Sequence, residues 1–391
     1  MFLSPFRSAL IRRPRTIRRN EVRLRVSLLE DRSTPTVLSV GANFTPDPSH
    51  HRFNSIQAAI NAAHPDDQIK VFAGTYTEAV TITKTDIDLI AVGKPGDVRI
   101  QAPAGADIAV QVAGGAKDVD IVGFTIVGGN AGIQFGTHFN SPASASGSGS
   151  AIDDTVFGYA QVGIEAIGTG SRVEVARDTV RGPGTASSSA PIGIQISDGA
   201  RGDVEGNTVG GNLGNSTNEG VGILIFQTSN VEVEHNVVFG NDEGILLAAF
   251  GTGAHVTHTE VEGNRSFNNT FNGIGLVNAD HNEIENNKVS FNGFDGINVG
   301  SDPNDPNAVP GTATGNTIRG NEATLNGRAG IFLESTATGN TVTKNRLRNN
   351  NTKSLATGAD AVDLSTGTGT AGTANSWSKN EFGTSIPVGL H

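Results

Sequence analysis

The stretch Val231-Glu232-Val233-Glu234-His235-Asn236-Val237-Val238-Phe239-Gly240-Asn241-Asp242-Glu243-Gly244-Ile245-Leu246-Leu247 decides the fold. Valine and glutamate alternate at its start, and Gly-Ile opens a second alternating run at its end. Period-two alternation marks strands rather than helix. Two asparagines, five residues apart, lie between these runs. The same spacing recurs at Asn207/Asn212, Asn264/Asn269, Asn287/Asn292, Asn321/Asn326 and Asn345/Asn350. Three residues before the first Asn stands an aliphatic side chain: Val204, Val233, Val261, Ile284, Ile318 or Val342. Gly-Ile recurs as well, at Gly132-Ile133, Gly163-Ile164, Gly193-Ile194, Gly222-Ile223, Gly273-Ile274, Gly296-Ile297 and Gly330-Ile331. Successive pairs are 23 to 34 residues apart. Self-similarity at such a period is the signature of a solenoid, in which each repeat buries its apolar face on its neighbours. The constant Asn turn and the drifting period predict three short strands per repeat, joined by loops of variable length.

Asparagine tolerates the left-handed backbone region, and its amide can bond to the same amide one coil away. Asn pairs, Gly-Ile and three strands together resemble the right-handed parallel β-helix (pectate-lyase-like) family, over about Phe53 to Phe382. The resemblance implies an all-β, single-stranded right-handed parallel β-helix with three strands per coil and about ten to eleven coils. It specifies activity weakly, because the family includes lyases, hydrolases, esterases, epimerases and binding domains.

Composition agrees with a solenoid: 51 Gly and no Cys, hence no disulfide and no thiolate metal site. Residues 1–36 hold nine Arg against Glu21, Glu30 and Asp31. The remainder therefore has 28 − 9 = 19 basic and 39 − 3 = 36 acidic residues, a formal net charge of −17. We read residues 1–36 as a targeting segment and 37–391 as the β-helix domain. Leu28-Leu29-Glu30-Asp31-Arg32-Ser33-Thr34-Pro35 resembles a leader of large bacterial exported proteins, which implies a secreted, cell-surface or periplasmic location. The acidic body argues against nucleic acid as a partner. No run reaches the ~18 apolar residues of a membrane span. A helix is expected over about 55–63, where Ile56, Ala59, Ile60 and Ala63 share one face and Ser55 is the N-cap. It resembles the helix that opens many β-helix enzymes, and it would cover the open end of the solenoid.

The register also stacks acids. Four residues before the first Asn stand Asp120, Glu174, Asp203, Glu232, Glu260 and Glu283; two before it stand Glu205, Glu234, Glu262 and Glu285. Coils of a parallel sheet are about 4.8 Å apart, and like charges so close destabilise the sheet. Three readings follow: a solvated face, calcium bridged by Glu232, Glu234, Glu260, Glu262, Glu283 and Glu285, or a docking face for a basic partner. His258 and His281 should stack at one corner, without an identifiable third ligand.

In β-helix carbohydrate enzymes the groove lies on the strand that corresponds here to Gly-Ile. Its outward residues include Gln134, Glu165, Gln195, Phe226, Asn298, Phe332 and Glu334, the candidate substrate contacts. Glu219, Asp242, Glu243 and Asp295 are the carboxylates at the strand entrance, and Arg328 is the nearby cation. A lyase needs a base that this groove scarcely supplies. A hydrolase needs two carboxylates across the bond, and Glu243 and Asp295 are two coils, roughly 10 Å, apart. Asn292-Gly293-Phe294-Asp295-Gly296-Ile297 loosely resembles a polygalacturonase segment, without the paired aspartates that should follow. Leu224, Phe226, Leu246, Val277 and Phe332 form an apolar floor for sugar rings or for the loops. The expectation is a monomeric, polysaccharide-associated binding or structural module that requires no cofactor, with calcium as an optional ligand. The alternative is a glycan hydrolase or lyase using Asp295, Glu243, Asp242 and Arg328. The third reading is a periplasmic metal-site accessory protein resembling copper-site maturation relatives.

Overall fold

The computed structural model describes residues 35–137, 146–215, 218–251, 253–300 and 311–390. The leader up to Thr34, most of the loop from His138 and residues 301–310 lie outside the described residues.

Three long sheets run the length of the described chain, with 14, 11 and 12 strands, and every paired strand in them is parallel. Sheet 1 carries the Val-Glu-Val-Glu runs, sheet 2 the three residues after each first Asn, and sheet 3 the Gly-Ile strands. The chain visits sheets 1, 2 and 3 in turn and then begins the next coil, which makes a right-handed parallel β-helix. Eleven coils contribute a strand to all three sheets.

Each coil has the same interior logic. The inward aliphatics Val204, Val233, Val261, Ile284, Ile318 and Val342 are fully buried, one above the other. So are Ile133, Ile164, Ile194, Ile223, Ile245 and Ile274 of sheet 3. The glycine before each of these isoleucines is sterically required: a Cβ on Gly222 would sit 2.5 Å from Val238 Cγ1 and 2.6 Å from the Gly244 carbonyl oxygen.

At the corner between sheets 1 and 2 the first asparagines form one hydrogen-bonded stack. Nδ2 of Asn207, Asn236, Asn264, Asn287, Asn321 and Asn345 donates to Oδ1 of the next coil's Asn, each at 3.0 Å. The second asparagines stack likewise, from Asn212 to Asn350, and end on Asp360. A third stack, Asn282, Asn316, Asn340 and Asn375, lies five residues before the first. Burial removes water as a partner for these turn amides, so the side chains satisfy them instead.

The predicted helix is present at Ile56–Ala62, with Ile56, Ala59 and Ile60 buried and the Ser55 side chain accepting from the Ala58 N–H. Glu78 strengthens the cap by accepting from the Ile56 and Gln57 N–H groups at 2.8 and 3.0 Å. Carboxylate oxygens at a helix start satisfy its orphan donors and favour its dipole.

Candidate functional site

The outward face of sheet 3 divides into two stretches. In the first, strand register places Gln111, Gln134, Glu165 and Gln195 in one column. Their polar ends are joined: Gln111 donates to Gln134 at 3.0 Å, Gln134 to Glu165 at 2.6 Å, and Gln195 to the other Glu165 oxygen at 3.3 Å. Glu165 is 1% exposed, so these amides stand in for water around its carboxyl. An open cleft of about 530 Å³ lies over Gln111, Gln134 and Glu165 of this row, also lined by Thr81, Asp107, Asn130 and Gln161. Gln134 and Glu165 lie buried under the cleft, and the groups it exposes are Thr81, Asp107, Asn130 and Gln161 with half-buried Gln111.

The second stretch begins with apolar side chains. Val221, Leu224, Ala248 and Val277 form a small cluster against Ile192, Phe226 and Leu246. Phe226 meets Phe250 edge-on at 5.6 Å. Beyond it are the candidate acids, and each is engaged. Asp242 Oδ2 accepts from the Gly214 and Gly220 N–H groups at 2.6 and 2.9 Å and so ties down a loop. Glu243 is buried and accepts from Asn272 Nδ2 at 3.1 Å. Asp295 is fully buried and forms a two-point ion pair with Arg328, with Nε donating at 3.0 Å. Asn298 Nδ2 donates to the same carboxylate at 3.2 Å. Burial raises the Asp295 pKa, and the Arg328 guanidinium holds that rise in check. Arg328 also reaches Glu334 at 3.8 Å.

Phe332 departs from the expectation of an open ring. It is 1% exposed, and the Arg328 guanidinium lies 3.7 Å from its centroid. The cation needed to neutralise Asp295 covers the ring that would have faced a ligand.

On sheet 1 the acidic columns stack as the register requires: Asp203, Glu232, Glu260 and Glu283 in one, Glu205, Glu234, Glu262 and Glu285 in the other. Glu285 is buried and pairs with Arg319 of the next coil, which ends its column. Carboxylate oxygens of Glu234, Glu260 and Glu262 lie within 4.8 Å of one another. Desolvation, then hydrogen bonding and repulsion from Glu262, push the Glu260 pKa up to about 7. Asn286 donates to Glu262 at 2.9 Å and holds its pKa down. Arg319 and Asn286 thus offset part of the repulsion along the columns. The rings of His258 and His281 stack with centroids 6.3 Å apart.

Three features of these surfaces escape a reading of single strands. One is Gln111, whose coil lacks the Asn pair that sets the register. Another is Asn272, the link between Glu243 and Asp295. The third is the earlier Asn stack; its signal is an Asn five residues before Asn287, Asn321 and Asn345.

The fold resembles that of solved parallel β-helix proteins. The A-module of a mannuronan C-5 epimerase from Azotobacter vinelandii superposes with a TM-score of 0.55 at 18% identity, over 84% of this chain and 92% of the module. The Dettilon tailspike protein gives 0.60 at 16%, over 84% of this chain but 64% of its own length. A tailspike of E. coli bacteriophage HK620, solved with a pentasaccharide, gives 0.53 at 13%, over 88% of this chain and 65% of the tailspike. Identities this low speak for the fold, and they place the chain among the right-handed parallel β-helix proteins. A family model described as "Periplasmic copper-binding protein (NosD)" matches residues 148–381, and the chain belongs to that family. No curated protein matches the chain.

Proposed function

We propose that this NosD-family chain is a noncatalytic polysaccharide-binding solenoid of the periplasm or cell surface, engaging sugar hydroxyls along sheet 3. The observation that carries this reading is the row Gln111, Gln134, Glu165 and Gln195 beside an open cleft of about 530 Å³. The buried Gln134–Glu165 pair fixes the floor of the cleft, and Gln111, Asn130, Gln161 and Asp107 at its surface suit a polyhydroxylated ligand. The same face argues against hydrolysis. A hydrolytic pair needs one carboxyl that gives a proton and another that activates water. Asp242 is held by two loop N–H groups, Glu243 is buried against Asn272, and Asp295 is buried against Arg328.

The family's description favours a second reading, copper handling. Copper prefers thiolate, thioether and imidazole donors. The sequence has no Cys, and its single Met is Met1. Among the described residues, the cluster of three potential ligands is Glu234, Glu260 and Glu262, all hard oxygen donors. His255 is engaged with Asp280 at 2.8 Å, and the stacked faces of His258 and His281 direct no lone pair at each other. These residues do not fit a copper centre.

The test is incubation of the full chain with acidic and neutral polysaccharides, with and without calcium, read by mass spectrometry and by affinity electrophoresis. No new fragments, and retardation in neutral polysaccharide that Gln111→Leu weakens, is the expected result. New fragments that disappear in Asp295→Ala would overturn it in favour of an enzyme.

A further inference from the structure

We propose that the outer face of sheet 2 holds a second site, an aromatic and cationic strip that binds an acidic polysaccharide such as a polyuronate. The strip occupies three consecutive coils. Register stacks Phe239 on Phe267, and their rings lie nearly parallel at 5.4 Å. Phe239 is 38% exposed, and Phe291, on the turn of the next coil, is 57% exposed. Such apolar side chains gathered on a water-facing surface mark an interaction site rather than a core.

The cations are arranged with the rings. Arg265 and Lys288 are direct partners in neighbouring strands, both exposed. The Arg265 guanidinium sits 4.3 Å from the Phe267 centroid. Farther along the sheet, Arg346 is near Glu322 and Arg348 pairs with Glu381. Register places Glu322 beside Lys288 in the next coil, but the ion pair of Glu322 is with Arg346, and neither Arg265 nor Lys288 forms an ion pair among the described residues. Two cations about 4.8 Å apart repel, and an anion between them removes the repulsion. The neighbouring sheet 1 carries stacked glutamates, so these two cations contrast with the adjoining face.

A polyuronate supplies both complements on one chain. Its carboxylates meet Arg265 and Lys288, and the C–H faces of its sugars lie on Phe239, Phe267 and Phe291. Size favours it over a second protein copy. Three coils span roughly 10 Å along the axis, far from the ~800 Å² per partner of a stable protein interface. The strip lies on a different sheet from the Gln111–Gln195 row, so either site stands or falls without the other.

The test is affinity electrophoresis of the full chain in sodium alginate and in dextran, a neutral control. The variants are Arg265→Gln/Lys288→Gln, Phe239→Ala and the cleft variant Gln111→Leu. All the strip substitutions are at the surface, and unchanged thermal unfolding verifies the fold. Retardation in alginate should weaken about tenfold in the double charge variant and fall with added salt. It should weaken in Phe239→Ala and survive in Gln111→Leu. Alginate retardation that is absent, or unchanged in the double charge variant, overturns the proposal. A concentration-dependent dimer that the double charge variant abolishes also overturns it, by assigning the strip to a second copy.

Discussion

Asp178 and Asn207 are adjacent rungs of one stack and differ by a single atom group, yet they solve different problems. Asn207 Oδ1 accepts from the Asp178 N–H at 2.8 Å, and its Nδ2 donates to the Val175 carbonyl at 2.8 Å and to Asn236 at 3.0 Å. Asp178 and, one coil earlier, Asp154 repeat the accepting half: each offers Oδ1 to the previous coil's N–H, at 2.7 and 2.6 Å. They have no Nδ2. Their Oδ2 atoms are buried without a partner, where the rest of the stack places a donor. A proton on Oδ2 supplies that donor and converts each Asp into a neutral likeness of Asn. Burial pushes both carboxyls well above the usual range, consistent with that proton being retained. Asp295 is a third buried aspartate with a different solution, a guanidinium. The lesson is that the repeat demands a shape and a hydrogen-bond pattern, and that charge is then neutralised by whatever lies nearest.

The largest effect should come from removing the cation at Asp295. Arg328→Ala leaves a buried, uncompensated carboxylate and should cost about 3 to 5 kcal/mol by denaturant unfolding. Arg328→Ala with Asp295→Asn should recover much of that loss. If it recovers nothing, packing on Phe332 rather than charge is the important contact.

Next is Asn264→Asp, which turns a neutral rung into a charged one. It removes donation to the Val233 carbonyl at 2.7 Å and to Asn287 at 3.0 Å. A loss of about 3 kcal/mol is expected at pH 8, and less at pH 4, where the new acid is protonated.

The reverse exchange, Asp178→Asn, should stabilise. Burial raises the wild-type carboxyl's pKa in the folded state above its unfolded value of ~3.9. Its contribution is therefore greatest below ~3.9 and declines as pH rises towards the folded pKa. The variant needs no proton, so its advantage should grow with pH, to about 1 to 2 kcal/mol, read as melting temperature between pH 4 and 9. Equal melting curves across that range would contradict protonated rungs.

The smallest effect concerns the outer face. Desolvation and the neighbouring acids push the Glu260 carboxyl up to about 7, so stability should fall as pH rises from its unfolded value through about 7. Solvent screening limits this to less than ~1 kcal/mol. Glu260→Gln should flatten that part of the pH profile.

The sequence by itself determined the solenoid, the register and the membership of its columns. Period-two alternation assigns each side chain to a face, and Asn236, Val233 and Gly244-Ile245 lock the repeat in phase with its neighbours. Asp203, Glu232, Glu260 and Glu283 could therefore be stacked correctly from spacing. Of the candidate site, the row Gln134, Glu165 and Gln195 was legible for the same reason. Gln111 was not, because its coil lacks the Asn pair, and neither was the stack of Asn282, Asn316, Asn340 and Asn375. Depth was decided only by the tertiary structure. Whether an outward residue meets solvent depends on what the next coil lays over it, and no strand encodes its neighbour's rotamer. Phe332 is hidden between Arg328, which must reach Asp295, and Val362 of the next coil, and Phe239 is exposed because its neighbour Gly210 has no side chain to cover it.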